Sequence, residues 1–388
     1  MKKQFLLLGL AVAAMTSCTS DEVLEQVQPT KQAIGFESFV NKTTRAITTT
    51  DAPGQTETDG AISEISGLSK FFVHGFYGND AVVFNGIPVT RAITDGKAPW
   101  SYDLNTNNNE DDLAYWTRNI YQFGAYANGN NTDPIAGVEF VMGQSTVDLI
   151  IPSYTVTDNN DLVADIVTVD NSGLTNPTVD LSFEHMLTKV RFTVINNDAK
   201  YKMRIVEALV INGAKNEGKC VISKNPNTDS NVQALLTSWT PAGGANAIQY
   251  NPNFLSSLVV NGGTHVNSTI EQSGNNLGTS VAGQYIAISQ RIISEEFLVM
   301  PQDLTNVEFS IKAEFYDDNN QVVAEKELNL PVLGTEENSK QMWKANTVYN
   351  YTIGLPTSAA PIQFGTIGVS TWGATQDIEL NTEDYHNN

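Results

Sequence analysis

Two peptide bonds and one thiol are where covalent chemistry is written most plainly in this sequence. The pentapeptide TRAIT occurs twice, as Thr44 to Thr48 and Thr90 to Thr94, so an Arg-Ala bond stands at Arg45-Ala46 and again at Arg91-Ala92. Such a bond is a substrate for an Arg-specific protease when it sits in an exposed polar stretch, and is out of reach inside a sheet. The first copy precedes TTTDAPGQTETDG, a polar, linker-like run. The second follows AVVFNGIPVT and precedes Asp95-Gly96, a turn signal within strand sequence. Of the two, Arg45-Ala46 is the bond a protease could engage, and the second copy reads as strand.

The thiol is Cys18. Lys2 and Lys3 form a positive flank, and the run FLLLGLAVAAM from Phe5 to Met15 is apolar but too short to span a hydrocarbon core, which takes about 20 helical residues. Residues 1–17 read as a signal peptide. Met15-Thr16-Ser17-Cys18 resembles a bacterial lipobox, which implies cleavage before Cys18 and acylation of its sulfur. Thr19-Ser20-Asp21-Glu22 adds an acidic stretch of the kind that follows the acylated Cys in surface-exposed lipoproteins. The remaining thiol, Cys220, then has no intramolecular partner. The chain is expected to be anchored to the outer membrane by its acyl group, not to span it.

Other motifs promise chemistry and lack what it requires. Gly213-Ala-Lys-Asn-Glu-Gly218-Lys219 has the spacing of a phosphate-binding loop, but Cys220 stands where a magnesium-binding Ser or Thr is needed, and the sequence beyond reads as strand and turn. It is expected to be a hairpin loop. None of His74, His185, His265 and His386 is paired at metal-ligand spacing; His185 reads as a half-buried, satisfied side chain. Asp158, Asp161, Asp165 and Asp170 offer oxygen ligands for calcium, while turn chemistry explains the same residues. Gly278-Thr-Ser280-Val-Ala-Gly283 lacks the spacing of a nucleophile elbow. No cofactor and no enzymatic activity is called for. The formal net charge of -21 repels phosphate backbones, so nucleic acid is not an expected partner.

The elements that must carry these residues alternate with period two. Val307, Phe309, Ile311 and Phe315 share one strand face, Asp317 to Asn320 supply a turn, and QVVAEKELNLPVL returns. Leu181 to Val194 reads as one strand with a bulge near Thr188, and Trp343 to Ile353 as another. Residues 222–275 are rich in Asn, Gly and Ser and read as long loops or a small helical insertion at NVQALLTSW. Short strands separated by Asn, Asp and Gly clusters specify an all-β protein of sandwiches. The turn-rich NSGLTNPTVD suggests a division into an N-terminal sandwich at 46–178 and a C-terminal sandwich at 179–388, and cleavage at Arg45-Ala46 would set off a lipidated pro-segment at 18–45.

Several stretches, in order, resemble the fimbrillin family, the subunits and related lipoproteins of type V pili. They are the lipobox, IGFESFVNKTTRA from Ile34, YWTRNIYQFGAYA from Tyr115, LSFEHMLTKV from Leu181, WKANTVYNYTI from Trp343, and the terminal run from Ile362 to Trp372. The resemblance implies two tandem transthyretin-like β-sandwiches. It also implies an assembly route in which an Arg-specific protease removes the first strand, here carrying Ile34, Phe36 and Val40, and a strand from another pilus subunit fills the groove. Three buried apolar side chains on such a strand are worth roughly 5–9 kcal/mol gross. The expected donor is the C-terminal run of Ile362, Phe364, Ile367, Val369, Ile378 and Leu380, although residues 362–372 read equally as the closing strand of the second sandwich. Stalk or tip pilin is the leading function. The alternatives are a pilus anchor, or an uncleaved outer-membrane surface lipoprotein whose Trp100, Tyr102, Tyr115 or Trp116 stacks on glycans.

Overall fold

The computed structural model of the chain describes residues 32–40, 68–78, 81–91, 99–104, 112–129, 133–157, 161–226, 235–242, 248–250, 259–261, 264–266, 285–286, 291–293, 296–355 and 364–371. Cys18, Arg45, Ala46, Ile362, Ile378 and Leu380 lie outside the described residues. Every regular element among those described is a β-strand. The chain begins with β1 (Phe36–Val40), β2 (Lys70–Tyr77), β3 (Ala81–Thr90), β4 (Ser101–Tyr102) and β5 (Ile120–Asn128). It continues through β6 (Glu139–Met142), β7 (Val147–Thr155), β8 (Leu162–Asp170), β9 (Val179–His185) and β10 (Thr188–Asn196). Next come β11 (Lys202–Ala214), β12 (Glu217–Lys224), β13 (Leu236–Pro241), β14 (Ile248–Tyr250), β15 (Val259–Asn261) and β16 (Thr264–Val266). The last are β17 (Arg291–Ile293), β18 (Phe297–Val299), β19 (Glu308–Tyr316), β20 (Val322–Pro331), β21 (Thr335–Glu337), β22 (Lys340–Met342), β23 (Thr347–Leu355) and β24 (Phe364–Thr371).

The largest sheet runs β1-β9-β8-β5-β2-β3-β4. It is covered on both faces, which is why β2 and β5 are buried almost end to end and read as continuous apolar and aromatic runs. On one face Phe72, Tyr126, Ala164 and Ile166 meet Leu149, Ile151, Cys220 and Ile222 of the sheet β13-β12-β7-β6. On the other, Phe71, Val73, Tyr121, Phe123 and Phe183 gather with Ile34, Phe36, Phe84 and Trp116. A third core joins Phe192, Tyr349 and Tyr351 of the sheet β17-β10-β23-β24 to Met203, Phe309 and Phe315 of the sheet β14-β11-β19-β20. Alternation lets β18, which pairs with β10, serve two cores: Phe297 and Val299 enter the third, Leu298 the one shared by the first two sheets.

Strand pairing crosses the division expected between residues 178 and 179. NSGLTNPTVD connects β8 to β9, which are neighbours in one sheet, and β12 and β13 pair back toward β7. Turn residues specify a reversal of the chain and carry no information about which sheet the next strand enters. The run from Leu181 to Val194 is two strands in two sheets, not one bulged strand. The chain crosses between cores through Met186 and Leu187, both buried and apolar, so nothing in the pattern marks the break. Likewise β11 and β12 do not form the expected hairpin, because they belong to different sheets. Gly213 near this crossing has φ +86°, and a Cβ there would stand 2.0 Å from the Asn306 carbonyl oxygen, so only glycine fits. Residues 236–241, within the stretch read as loop or helix, form β13.

Candidate strand-acceptor groove

The segment 32–40 lies across two boundaries of the first sheet. Its first part forms an isolated antiparallel bridge, Ala33 with Tyr115. Ile34 N–H donates to Ala114 O at 2.8 Å, and Trp116 N–H donates to Gln32 O at 3.0 Å. Its second part, β1, is a parallel partner of β9 in a register from Phe36–Val179 to Val40–Phe183, and Val179 N–H donates to Gly35 O at 2.9 Å. The change of partner occurs at Gly35.

Between these anchors Ile34 is 1% and Phe36 5% exposed. The Phe36 ring meets Phe71, Phe84, Tyr102 and Phe123 edge-on, with centroids 5.3 to 6.3 Å away. Phe71 lies on β2, Phe84 on β3, Tyr102 on β4 and Phe123 on β5. Although β1 and β4 end the sheet at opposite edges, the sheet curls far enough for both to close over one aromatic core. Tyr102 O–H donates to Ile34 O at 2.9 Å and its oxygen accepts Ala114 N–H at 3.2 Å. Burial pushes the Tyr102 phenol up to about 12, so it remains a donor across the ordinary pH range.

Removing this segment would uncover an aromatic groove and free the β9 edge. Ile34 and Phe36 are together worth roughly 3–6 kcal/mol of burial, and each backbone bond contributes about 0.5–1.5 kcal/mol net. Val40 occupies the β1 register opposite Phe183.

Arg91, which precedes the second Arg-Ala bond, is held differently from a residue of a free linker; Ala92 lies outside the described residues. Arg91 directly follows β3; its backbone N–H donates to Ser69 O at 3.0 Å and its Nε to Leu68 O at 3.1 Å. Its guanidinium lies 4.7 Å from the Trp100 ring centroid. Of the aromatic residues considered for glycan stacking, Trp116 is buried, Tyr102 caps the groove, Trp100 packs on Phe71 and Arg91, and Tyr115 is exposed. Trp100, Tyr102 and Trp116 pack in one core, and Tyr115 stands outside it.

Phe364, Ile367 and Val369 lie on β24, which pairs antiparallel with β23 at the edge of its sheet. The run 364–371 thus occupies the place of a closing strand. His185 is buried, with Nδ1 2.5 Å from Asp161 Oδ2. Asp165 bonds backbone groups of β8 and β9, and Asp170 accepts from Ser172 N–H. Among the described residues no group of three or more His, Cys, Asp or Glu could hold a metal ion.

Sequence reasoning missed Tyr102, Phe84, Phe71 and Phe123 as the groove's lining. Each sits in a strand run, but which face each presents and which edge curls over is set by sheet twist, which no local pattern carries. Asp165 gave the one usable signal, a charged residue inside the apolar run LVADIV.

Solved structures of low identity overlap much of the chain. A cell-adhesion candidate from Bacteroides uniformis is 14% identical with a TM-score of 0.45, covering 89% of this chain and 100% of its own. A fimbrial protein from Bacteroides vulgatus is 15% identical with a TM-score of 0.46, over 78% of this chain and 92% of that one. The fimbrial anchor protein of Porphyromonas gingivalis is 11% identical with a TM-score of 0.30, over 88% and 97%. Curated protein sequences gave no match. The family model described as fimbrillin-like matches residues 78–372. By that match, over most of its length, the chain belongs to the fimbrillin-like family.

Proposed function

We propose that this protein is a structural or adhesive subunit of a surface fimbrium, exported as a lipoprotein and assembled by strand exchange. In this reading Cys18 carries the acyl anchor, an Arg-specific protease cuts Arg45-Ala46, and the segment bearing Ile34, Phe36 and Val40 leaves. A strand from another subunit then fills the groove, main-chain bonds along β9 supplying affinity and the apolar pocket supplying register. The carrying observation is the place of residues 32–40: a segment at a sheet edge, plugging an aromatic core that cannot remain empty in water. Two pairs of facing sheets along the chain support a description as tandem transthyretin-like sandwiches, with strands of residues 217–241 completing the first. The C-terminal segment is the proposed donor; β24 lies at a sheet edge and is the last described strand, so it can detach without opening an inner pair.

Mass spectrometry of the N-terminus in native surface extracts tests the reading. A mature chain starting at Ala46 is expected. A chain that keeps acylated Cys18 throughout would favour an anchor or an unassembled surface lipoprotein.

A further inference from the structure

The ladder between β8 and β9 stops early. Val163 pairs with His185 and Ala164 with Glu184. Continued antiparallel register would set Ile166 opposite Ser182. A carboxylate stands there instead: Asp165 Oδ1 accepts Ile166 N–H at 2.7 Å, and Oδ2 accepts Ser182 N–H at 2.7 Å. The Ile166 carbonyl accepts from Lys224 Nζ at 2.7 Å, a side chain reaching over from β12 in the facing sheet. Lys224 Nζ lies 3.9 Å from Asp165 Oδ1. Asp165 itself is only 4% exposed.

Burying a carboxylate is unfavourable, and a direct Ile166–Ser182 ladder would need none. What the wedge gives is shape. From Ile166 onward the carboxylate, in place of a ladder, sets where β9 lies beside β8, and residues 179–183 pair with β1 along the opposite edge. The charged groups acting on Asp165 are Lys224 from β12 and Glu184 from β9; burial raises its pKa to about 7 against the pull of Lys224.

We infer that Asp165, pinned by Lys224, positions the acceptor edge: by spacing β9 from β8 it sets the line of residues 179–183, whose opposite edge takes β1 and, once β1 has left, a strand from a second copy of this chain. The second half of this statement rests on the exchange reading above; the first does not. Without the carboxylate β9 shifts toward β8, and the fit of its outer edge to β1 is weakened.

Hydrogen exchange on the intact chain tests the first half. In Asp165→Leu, exchange of residues 32–40 should accelerate by about tenfold or more, the scale of losing a charged acceptor, while 308–316 in the other core stays unchanged. Lys224→Met removes only the pin and should give a smaller acceleration in the same segment, which keeps the test valid if the first variant does not fold. Selective 15N-serine labelling supplies a signature that packing alone would not produce. The Ser182 amide proton should move downfield as the carboxylate ionises, with a midpoint at about 7, and should not titrate in Asp165→Asn. Unchanged protection of 32–40 in both variants, or a Ser182 amide that does not titrate in the wild type, overturns the proposal. For the second half, a labelled peptide of residues 32–40 is added to cleaved chain stripped of its own segment. Uptake by wild type and not by Lys224→Met is expected. Equal uptake overturns the positioning role, and none by wild type overturns the exchange reading while the exchange-protection result stands.

Discussion

Replacing Phe36 by Ala should release the first strand while leaving the rest of the chain folded. Phe36 is 5% exposed and meets four aromatic rings, so the truncation removes a buried ring and leaves a cavity, at about 3–5 kcal/mol. Ile34 and Phe36 together contribute roughly 3–6 kcal/mol of burial, so the loss is comparable to the whole apolar hold on the segment. The backbone bonds of Gln32, Ile34 and Gly35, at about 0.5–1.5 kcal/mol each, do not offset the ordering of a chain end by themselves. Residues 32–40 should therefore exchange amide hydrogens near the unprotected rate, and an apolar dye should bind the opened groove. Residues 308–316, which belong to a separate core, should keep their protection. Ile34→Val, costing about 0.5–1.5 kcal/mol, should give a graded effect in the same segment. Retained protection of 32–40 in Phe36→Ala, with a stability change below about 1 kcal/mol, would refute the view that this ring plugs the core.

Other outcomes follow from single side chains. Burial lowers the His74 pKa from 6.5 to about 4, so the fold holds a neutral imidazole; its contribution is complete above about pH 6.5 and is lost as pH falls toward 4, by about 3 kcal/mol. Urea melts at neutral pH and near pH 4.5 should show this limb, and His74→Gln should flatten it; Asp165, with its raised pKa, contributes in the opposite sense and remains in both proteins. Gly213→Ala should destabilise by more than about 2 kcal/mol, because its Cβ meets the Asn306 carbonyl and φ is +86°; a change within about 0.5 kcal/mol would show that the crossing is not so tight. Brief treatment of folded protein with an Arg-specific protease should cut after Arg45 and spare Arg91, whose backbone and guanidinium are both engaged; equal cutting at both bonds would contradict that.

The all-β class was legible because alternation in runs such as Val307 to Phe315 has one physical reading, and the β19–β20 hairpin with its Asp317 turn follows the pattern apart from a register shift between Phe315 and Tyr316. Ile34 and Phe36 keep the same two-residue spacing, and both enter one core. Partner choice was not legible. The crossing at Met186 and Leu187 is as apolar as the strands it joins, and β12 leaves β11 for another sheet after a two-residue link, Lys215-Asn216, whose length would serve a hairpin equally well. Pairing between distant strands is fixed by which faces complement one another after twisting, and one-dimensional periodicity does not record that. Asp165 is the instructive case. Its charge within LVADIV marks a local conflict, and such conflicts fall where the fold has a second requirement beyond stability.

The central claim is that the segment holding Ile34 and Phe36 is a removable plug whose place another subunit's strand takes. Purified chain should be cut at Arg45 and followed by mass spectrometry and by gels run without boiling. Loss of the segment together with a denaturation-resistant ladder is predicted, with the ladder suppressed by excess peptide of residues 32–40 and absent after deletion of residues 362–388. A cleaved chain that keeps its segment bound, or sheds it and stays monomeric, would contradict the account.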